Sequence, residues 1–164
     1  MRIALKILTL CVALVIAGCS TDRATKEAIR RAETIAREMP DSALVLIEGV
    51  DPQNVRGEDD KAHYRLVEAE VLYYNRILPD REEVAQPLFD HYLTSNDHRE
   101  RARAMYQYAL VMQAEGENAE ALYALLEAEK SLELCKYLDK PRLQGLVHRT
   151  KGEIYGVECL FSNA

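Results

Sequence analysis

Tryptophan is absent from this chain, and glycine and proline are scarce, with seven and five residues in 164. Segments in which apolar and polar residues alternate are also missing, so nothing in the sequence indicates a half-buried β-strand. Few helix breakers and no strand pattern predict an all-α fold. The chain is long enough for one domain, and an apolar fraction of 48% supplies the residues for its core.

Patterns for catalysis and metal binding are missing too. There is no glycine-rich phosphate loop, no nucleotide-binding turn and no serine nucleophile motif. The four histidines lack the His-x-x-x-His or Glu-x-x-His spacing that places two metal ligands on one helix face. The acidic run Glu58–Asp60 lacks the glycine-containing loop of a calcium site. We therefore expect no enzyme, no metal, no cofactor and no small-molecule substrate.

The N-terminal segment differs in composition from the rest. Two basic residues, Arg2 and Lys6, precede a nearly unbroken apolar run, Ile7–Ala17. A stable transmembrane helix needs about 20 residues, so this shorter run is typical of the core of a signal peptide.

The end of the run, Val15–Cys19, resembles the lipobox of bacterial lipoproteins. In that family the signal peptide is cut just before the cysteine, whose thiol receives a diacylglycerol group. The resemblance implies a lipoprotein signal peptide over residues 1–18, a lipidated tether over residues 19–24 and a membrane anchor on Cys19. A plain secretory signal and a chance apolar start are the alternatives.

The net negative charge of the chain gives no electrostatic attraction to a membrane, so we expect the lipid to provide the attachment. The chain has 21 basic and 27 acidic side chains, and its net charge is −6 before any cleavage. Such a surface repels nucleic acid and anionic lipid, so we expect no nucleic-acid partner. Ser20 stands where Asp favours inner-membrane retention in enterobacterial lipoproteins. We therefore expect a cell-envelope protein on the periplasmic side, with the outer membrane favoured.

The central residues 100–130 predict two amphipathic helices joined by a short turn. Apolar residues recur at helical spacing: Met105, Tyr108, Ala109 and Met112 in the first helix, and Ala121, Leu125, Ala128 and Leu132 in the second. Gly116 can adopt the positive φ that ends the first helix, and Asn118 can cap the second. So short a connection predicts antiparallel helices.

The small and large residues of this hairpin resemble those of a tetratricopeptide repeat (TPR), a helix-turn-helix unit of about 34 residues. Two methionines replace the family's usual tryptophan and tyrosine. The phrase Glu38–Leu44 resembles the opening of TPR-like lipoproteins from Bacteroidetes. These resemblances imply antiparallel repeats over residues 25–164, stacked as a short right-handed α-solenoid. An ordinary hairpin in another helical bundle is the alternative.

Caps and prolines divide the rest of the chain into further helices, over about residues 25–39, 43–50, 59–78 and 139–158. The segment 43–50 is apolar almost all round, so we expect it to be well buried. The segment 59–78 carries two neighbouring apolar stripes: Ala62, Leu66, Ala69 and Tyr73, and Val67, Val71, Tyr74 and Leu78. Pro87 predicts either a kinked helix or a helix that begins at Gln86.

In TPR proteins the exposed side of each first helix lines a concave groove. The resemblance implies a candidate ligand-binding groove at the corresponding positions of this sequence, which are Arg103, Tyr106, Leu110, Gln113, Leu146, Arg149 and Glu153. Arginine and tyrosine suit peptide recognition, through bidentate bonds to carboxylates and through ring stacking. The alternative is that Tyr106 and Leu110 belong to the core and that Arg103 is a solvated charge.

Together these features predict a lipid-anchored scaffold that binds a protein or peptide partner without catalysis. One rival is a shortened sensor or regulatory input domain of a TPR-type regulator, and another is an accessory lipoprotein of outer-membrane assembly. Cys135 and Cys159 can form a disulfide in an oxidising compartment, and two buried free thiols are the alternative.

Overall fold

The computed structural model describes residues 20–161, and their side chains as far as Val157. In this range the chain forms seven α-helices and no β-strand, which confirms the all-α class. The helices are α1 (Arg23–Ile35), α2 (Pro40–Glu48), α3 (Glu58–Tyr74), α4 (Gln86–Tyr92), α5 (His98–Glu115), α6 (Asn118–Leu134) and α7 (Lys140–Phe161). The predicted signal peptide and Cys19 lie outside the described residues. No helix in the described range has both the length and the apolar character needed to cross a membrane.

Helix α3 connects two hydrophobic cores. The larger core is formed with α4 to α7, and the smaller core is formed with α1 and α2. One face of α3 contributes Ala62, Leu66 and Ala69 to the larger core, and another contributes Tyr64, Val67 and Val71 to the smaller one. The two predicted stripes are therefore confirmed, except at Leu78, which lies beyond the end of α3 and is exposed.

Helices α5 and α6 form the centre of the larger core, and all eight residues of their predicted stripes are buried. Gly116 ends α5 with a φ of +84°. Its N–H donates to the Gln113 carbonyl at 3.1 Å, and the N–H of Glu117 donates to the Met112 carbonyl at 2.8 Å. The predicted cap at Asn118 is wrong, because α6 has no side-chain cap and Asn118 is its first helical residue.

Proline determines where α4 begins. A π-helical turn, Arg81–Ala85, precedes the helix, and the Asp80 carboxylate accepts a hydrogen bond from the Glu83 N–H at 2.7 Å. Helix α4 then begins at Gln86 with Pro87 in its first turn. Pro87 has no N–H to donate to the preceding turn, and the Glu83 carbonyl accepts from Arg65 Nε at 3.2 Å instead. Of the two predicted alternatives, the start at Gln86 is the correct one.

Helix α1 begins earlier than predicted because Asp22 caps it. The Asp22 carboxylate accepts hydrogen bonds from the N–H groups two and three residues ahead, at 2.9 and 3.0 Å. Thr21 is buried, and its hydroxyl donates to the Arg56 carbonyl at 2.9 Å and accepts from the Arg56 N–H at 2.7 Å. The predicted tether over residues 19–24 is therefore too long, since packed structure begins at Thr21.

The expected burial of α2 is wrong. Ala43 and Ile47 are buried, but Val45 is 70% exposed. Helix α2 packs against α1 and α3 and lies at the edge of the smaller core. An apolar composition therefore does not bury a helix that has neighbours on only one side.

Candidate functional site

A cleft of about 210 Å³ opens between α1, α3, α5 and the start of α7. Four tyrosines line it, Tyr73, Tyr74, Tyr106 and Tyr137, and we call it the tyrosine cleft. Four arginines and four carboxylates also line it: Arg37, Arg99, Arg103 and Arg142, and Glu33, Glu38, Glu70 and Asp139. Pockets for small organic ligands usually measure about 300–1,000 Å³, so this cleft suits one large side chain or a short peptide segment.

Arg103 lies at the base of this cleft and is only 8% exposed. Its Nε and Nη2 atoms donate to the two carboxylate oxygens of Glu70, in the bidentate arrangement that guanidinium groups favour. Its Nη1 atom lies 2.9 Å from Glu33 Oε1 and 2.7 Å from Glu100 Oε1. Arg103 on α5, in the larger core, therefore bonds to α1, in the smaller core, and to α3, which contributes to both.

His63 on α3 completes this group, which we call the Arg103 cluster: Glu33, His63, Glu70, Glu100 and Arg103. His63 Nδ1 lies 3.6 Å from Glu100 Oε2, and His63 Nε2 lies 3.5 Å from Glu33 Oε2. The Glu100 and Glu33 carboxylates raise the pKa of His63 to about 9. Contact with His63 in turn lowers the pKa of Glu33 to about 2. The cluster therefore combines two basic side chains with three acidic ones.

Three further ionisable side chains of the cleft are paired, whereas no ion pair of the described residues involves the exposed Glu38. Arg142 Nη2 lies 2.6 Å from Asp139 Oδ2, and Arg37 Nη1 lies 3.6 Å from Asp139 Oδ1. Arg99 is held more loosely, with Nε 3.9 Å from Glu100 Oε1 and the guanidinium carbon 5.7 Å from the centre of the Tyr137 ring. The cleft therefore has little net charge, and its ionic groups largely neutralise one another.

Two polar groups of the tyrosine cleft are unpaired. Gln107 is 5% exposed, and its Oε1 atom is buried without a hydrogen-bond partner. The buried hydroxyl of Tyr137, in the connection between α6 and α7, also lacks one. Buried polar groups are nearly always hydrogen-bonded to protein or water, so these two atoms mark where a ligand or an ordered water can bind.

A second cavity, of about 320 Å³, lies beside α3 and the π-helical turn. Its polar side chains bond within the protein. Arg65 Nε donates to the Glu83 carbonyl at 3.2 Å, and the Tyr64 hydroxyl donates to Glu68 at 3.4 Å. None of the unpaired buried side-chain atoms found in the described residues lines it. We therefore take the smaller tyrosine cleft as the candidate site.

The structure brings three of the predicted groove residues together. Arg103, Tyr106 and Leu146 line the tyrosine cleft, whereas Leu110, Gln113, Arg149 and Glu153 do not. Arg149 and Glu153 instead form an exposed ion pair on α7, with Nε and Oε1 3.1 Å apart.

The role predicted for Arg103 needs correction. Its guanidinium already binds three carboxylates of this chain, so it is not free for a bidentate bond to a partner's carboxylate. It is also not the solvated charge of the alternative interpretation. Tyr106, at 3% exposure, is largely a core residue whose ring meets that of Tyr73 edge-on, with centroids 6.1 Å apart.

The sequence analysis missed Gln107 and Tyr137. A signal for Gln107 exists, because it lies four residues after Arg103, on the same face of an apolar helix, and a polar residue there needs a partner. No periodic pattern covers Tyr137, which lies between helices. The described residues contain no cluster of three potential metal ligands. Cys135 is free, and the side chain of Cys159 lies outside the described residues, so their disulfide stays a prediction.

Fold and site together define an all-α protein with a polar cleft lined by tyrosine and arginine. Comparison with known proteins adds no family: no family model, no curated protein and no solved structure matches the chain.

Proposed function

We propose that this protein is a lipid-anchored scaffold of the bacterial cell envelope that binds a protein or peptide in the tyrosine cleft, without catalysis. The observation that carries the proposal is the lining of the cleft, with four tyrosines and four arginines where α1, α3, α5 and the start of α7 meet. These residue types contribute most to binding energy at protein interfaces. Tyrosine adds contact area and a polar end at a small entropic cost.

Pairing of the ionisable groups supports binding rather than catalysis. A general acid or base needs a proton that it can exchange near neutral pH. Glu33 and Glu70 are bound to Arg103, and Asp139 is bound to Arg142. Among the buried polar groups of the cleft a carboxamide and a phenol remain unpaired, and these groups form hydrogen bonds without transferring protons at neutral pH.

We also propose that the helices form a short TPR-like right-handed stack, similar to that of Bacteroidetes lipoproteins. The α5–Gly116–α6 hairpin supports this arrangement, since its stripes of alanine and larger apolar residues are buried as a repeat unit requires. A cleft on one side of α5 is where such a stack presents its concave face.

Site-specific photo-crosslinking tests the proposed binding function. A photoreactive phenylalanine analogue replaces Tyr74, which is half-buried and lines the tyrosine cleft, in the full chain in its native envelope. The matched control carries the analogue at Tyr123, which is exposed on α6 and does not line the cleft. We expect an adduct of defined mass from position 74 and not from position 123. A peptide from the crosslinked region should then bind the purified protein at one site.

The same adduct from both positions, or no adduct at position 74, would contradict the proposal. Failure of the crosslinked peptide to bind the purified protein would show that the encounter was not specific.

A further inference from the structure

The unpaired groups of the tyrosine cleft specify what a ligand must offer. Gln107 Oε1 is an acceptor and needs a donor, while the Tyr137 hydroxyl can donate or accept. A group that carries an N–H beside a carbonyl can satisfy both. Primary amides have this combination. A carboxylate offers no donor for Gln107 Oε1, and an ammonium group could donate to both atoms only by burying its charge between two uncharged partners.

The charges of the cleft favour an uncharged ligand. Its four arginines and four carboxylates balance, and its closest ion pairs are internal. A charged ligand would have to compete with a pair such as Arg142–Asp139, which would leave one of the two groups unpaired, at a large cost in a partly buried site. A neutral polar group can enter without disturbing these pairs.

The size of the cleft limits the ligand further. A volume of about 210 Å³ admits one side chain. The tyrosine rings offer flat apolar faces to the methylene groups of that side chain.

We propose that the tyrosine cleft binds the side-chain carboxamide of a glutamine or asparagine in the partner protein, with its NH₂ donating to Gln107 Oε1 and its carbonyl accepting from the Tyr137 hydroxyl. This inference rests on the proposed function and specifies the group that the cleft recognises. Gln107 and Tyr137 are the residues that determine specificity, and Arg103 supports the base of the cleft.

Selection from a library of short random peptides tests the inference on the full chain. We expect glutamine or asparagine to be enriched at one position of the peptides that bind. A selected peptide is then compared with its variant in which norleucine replaces that amide residue. For the natural protein, the substitution should weaken binding about five- to 100-fold, as expected for the loss of two uncharged hydrogen bonds.

Two protein variants complete a double-mutant cycle. Gln107→Met keeps the size of the side chain and removes its amide, so it should weaken binding of the amide peptide. The norleucine substitution should then cost only the remaining hydrogen bond to Tyr137, about two- to tenfold. Gln113→Met is the matched control on the same helix outside the cleft, and both peptides should bind it as they bind the natural protein. Tyr137→Phe, with Tyr123→Phe as its control, repeats the test without altering α5.

Each outcome separates the inference from the function on which it rests. Peptides that compete at the cleft but carry acidic, basic or purely apolar anchors overturn the carboxamide proposal and leave peptide binding intact. Additive effects of Gln107→Met and of norleucine also overturn it, since they indicate that ordered water, rather than the ligand, pairs with Gln107. If no peptide binds the full chain, the proposed function fails as well.

Discussion

Arg103 shows how one buried charge can join two hydrophobic cores. It lies on α5 in the larger core, while Glu33 belongs to α1 beside the smaller core and Glu70 belongs to α3 between them. Apolar contacts alone do not fix the angle between such cores, because they are not directional. Hydrogen bonds from a planar guanidinium group are directional, so Arg103 fixes how α1 and α5 meet.

Arg103→Met should therefore destabilise the protein strongly. The substitution leaves Glu33, Glu70 and Glu100 partly buried without their common partner, and removing one member of a buried ion pair typically costs about 3–5 kcal/mol. Urea unfolding measures the loss. Arg149→Met is the control, because it removes only an exposed pair with Glu153 and should cost less than about 1 kcal/mol. Equal losses in the two variants would show that Arg103 does not hold the cores together.

His63 should make stability depend on pH in the alkaline range. Its pKa is about 9 in the folded chain, against 6.5 for an unperturbed histidine. The folded state therefore binds the proton more tightly, so the contribution of His63 is complete below pH 6.5 and is lost as the pH rises through about 9. Unfolding free energies of the natural protein and of His63→Gln should differ at about pH 6 and converge near pH 10. A difference that is independent of pH would contradict this assignment.

At the scale of elements, helical spacing and the positions of glycine and proline predicted the features that depend on local sequence. The stripes of α3 and α5, the turn at Gly116 and the start of α4 at Gln86 follow from helical spacing and from the conformational limits of glycine and proline. The sequence did not predict the exposure of Val45, the ion pairs of Arg103 or the position of Tyr137. Each of these depends on which distant segment packs beside the residue, and no pattern along the chain encodes that.

Replacing Gly116 and replacing Gly152 by alanine should change the stability of the protein in opposite directions. Gly116→Ala forces a side chain into a φ of +84° and should destabilise the protein by about 1–2 kcal/mol, although no atom lies within contact of the added carbon. Gly152→Ala lies inside α7 without a positive φ and also in open space, so it should stabilise by up to about 1 kcal/mol. Thermal unfolding compares the two variants directly. Shifts of the same sign would show that backbone conformation is not what separates the two positions.

At the scale of the whole molecule, helix α1 relates the cleft to the proposed anchor. Packed structure begins at Thr21, so Ser20 alone separates Cys19 from the folded part. The residues that α1 contributes to the tyrosine cleft begin at Glu33, near its other end. A helix of 13 residues is about 20 Å long, so α1 can separate the proposed anchor from the cleft by up to about that distance.

This arrangement requires a lipid on Cys19, and fractionation tests that requirement. Cys19→Ser should release the protein from the membrane into the soluble periplasmic fraction and abolish labelling with a fatty acid, because the acidic surface offers no second means of attachment. Cys135→Ser is the matched control, since it removes a half-buried thiol of the folded part and should leave the protein in the membrane fraction. If Cys19→Ser stays with the membrane although its mass shows that residues 1–18 have been removed, the attachment comes from the remaining chain, and the exposed Val45 on α2 is then the first position to replace by a charged residue.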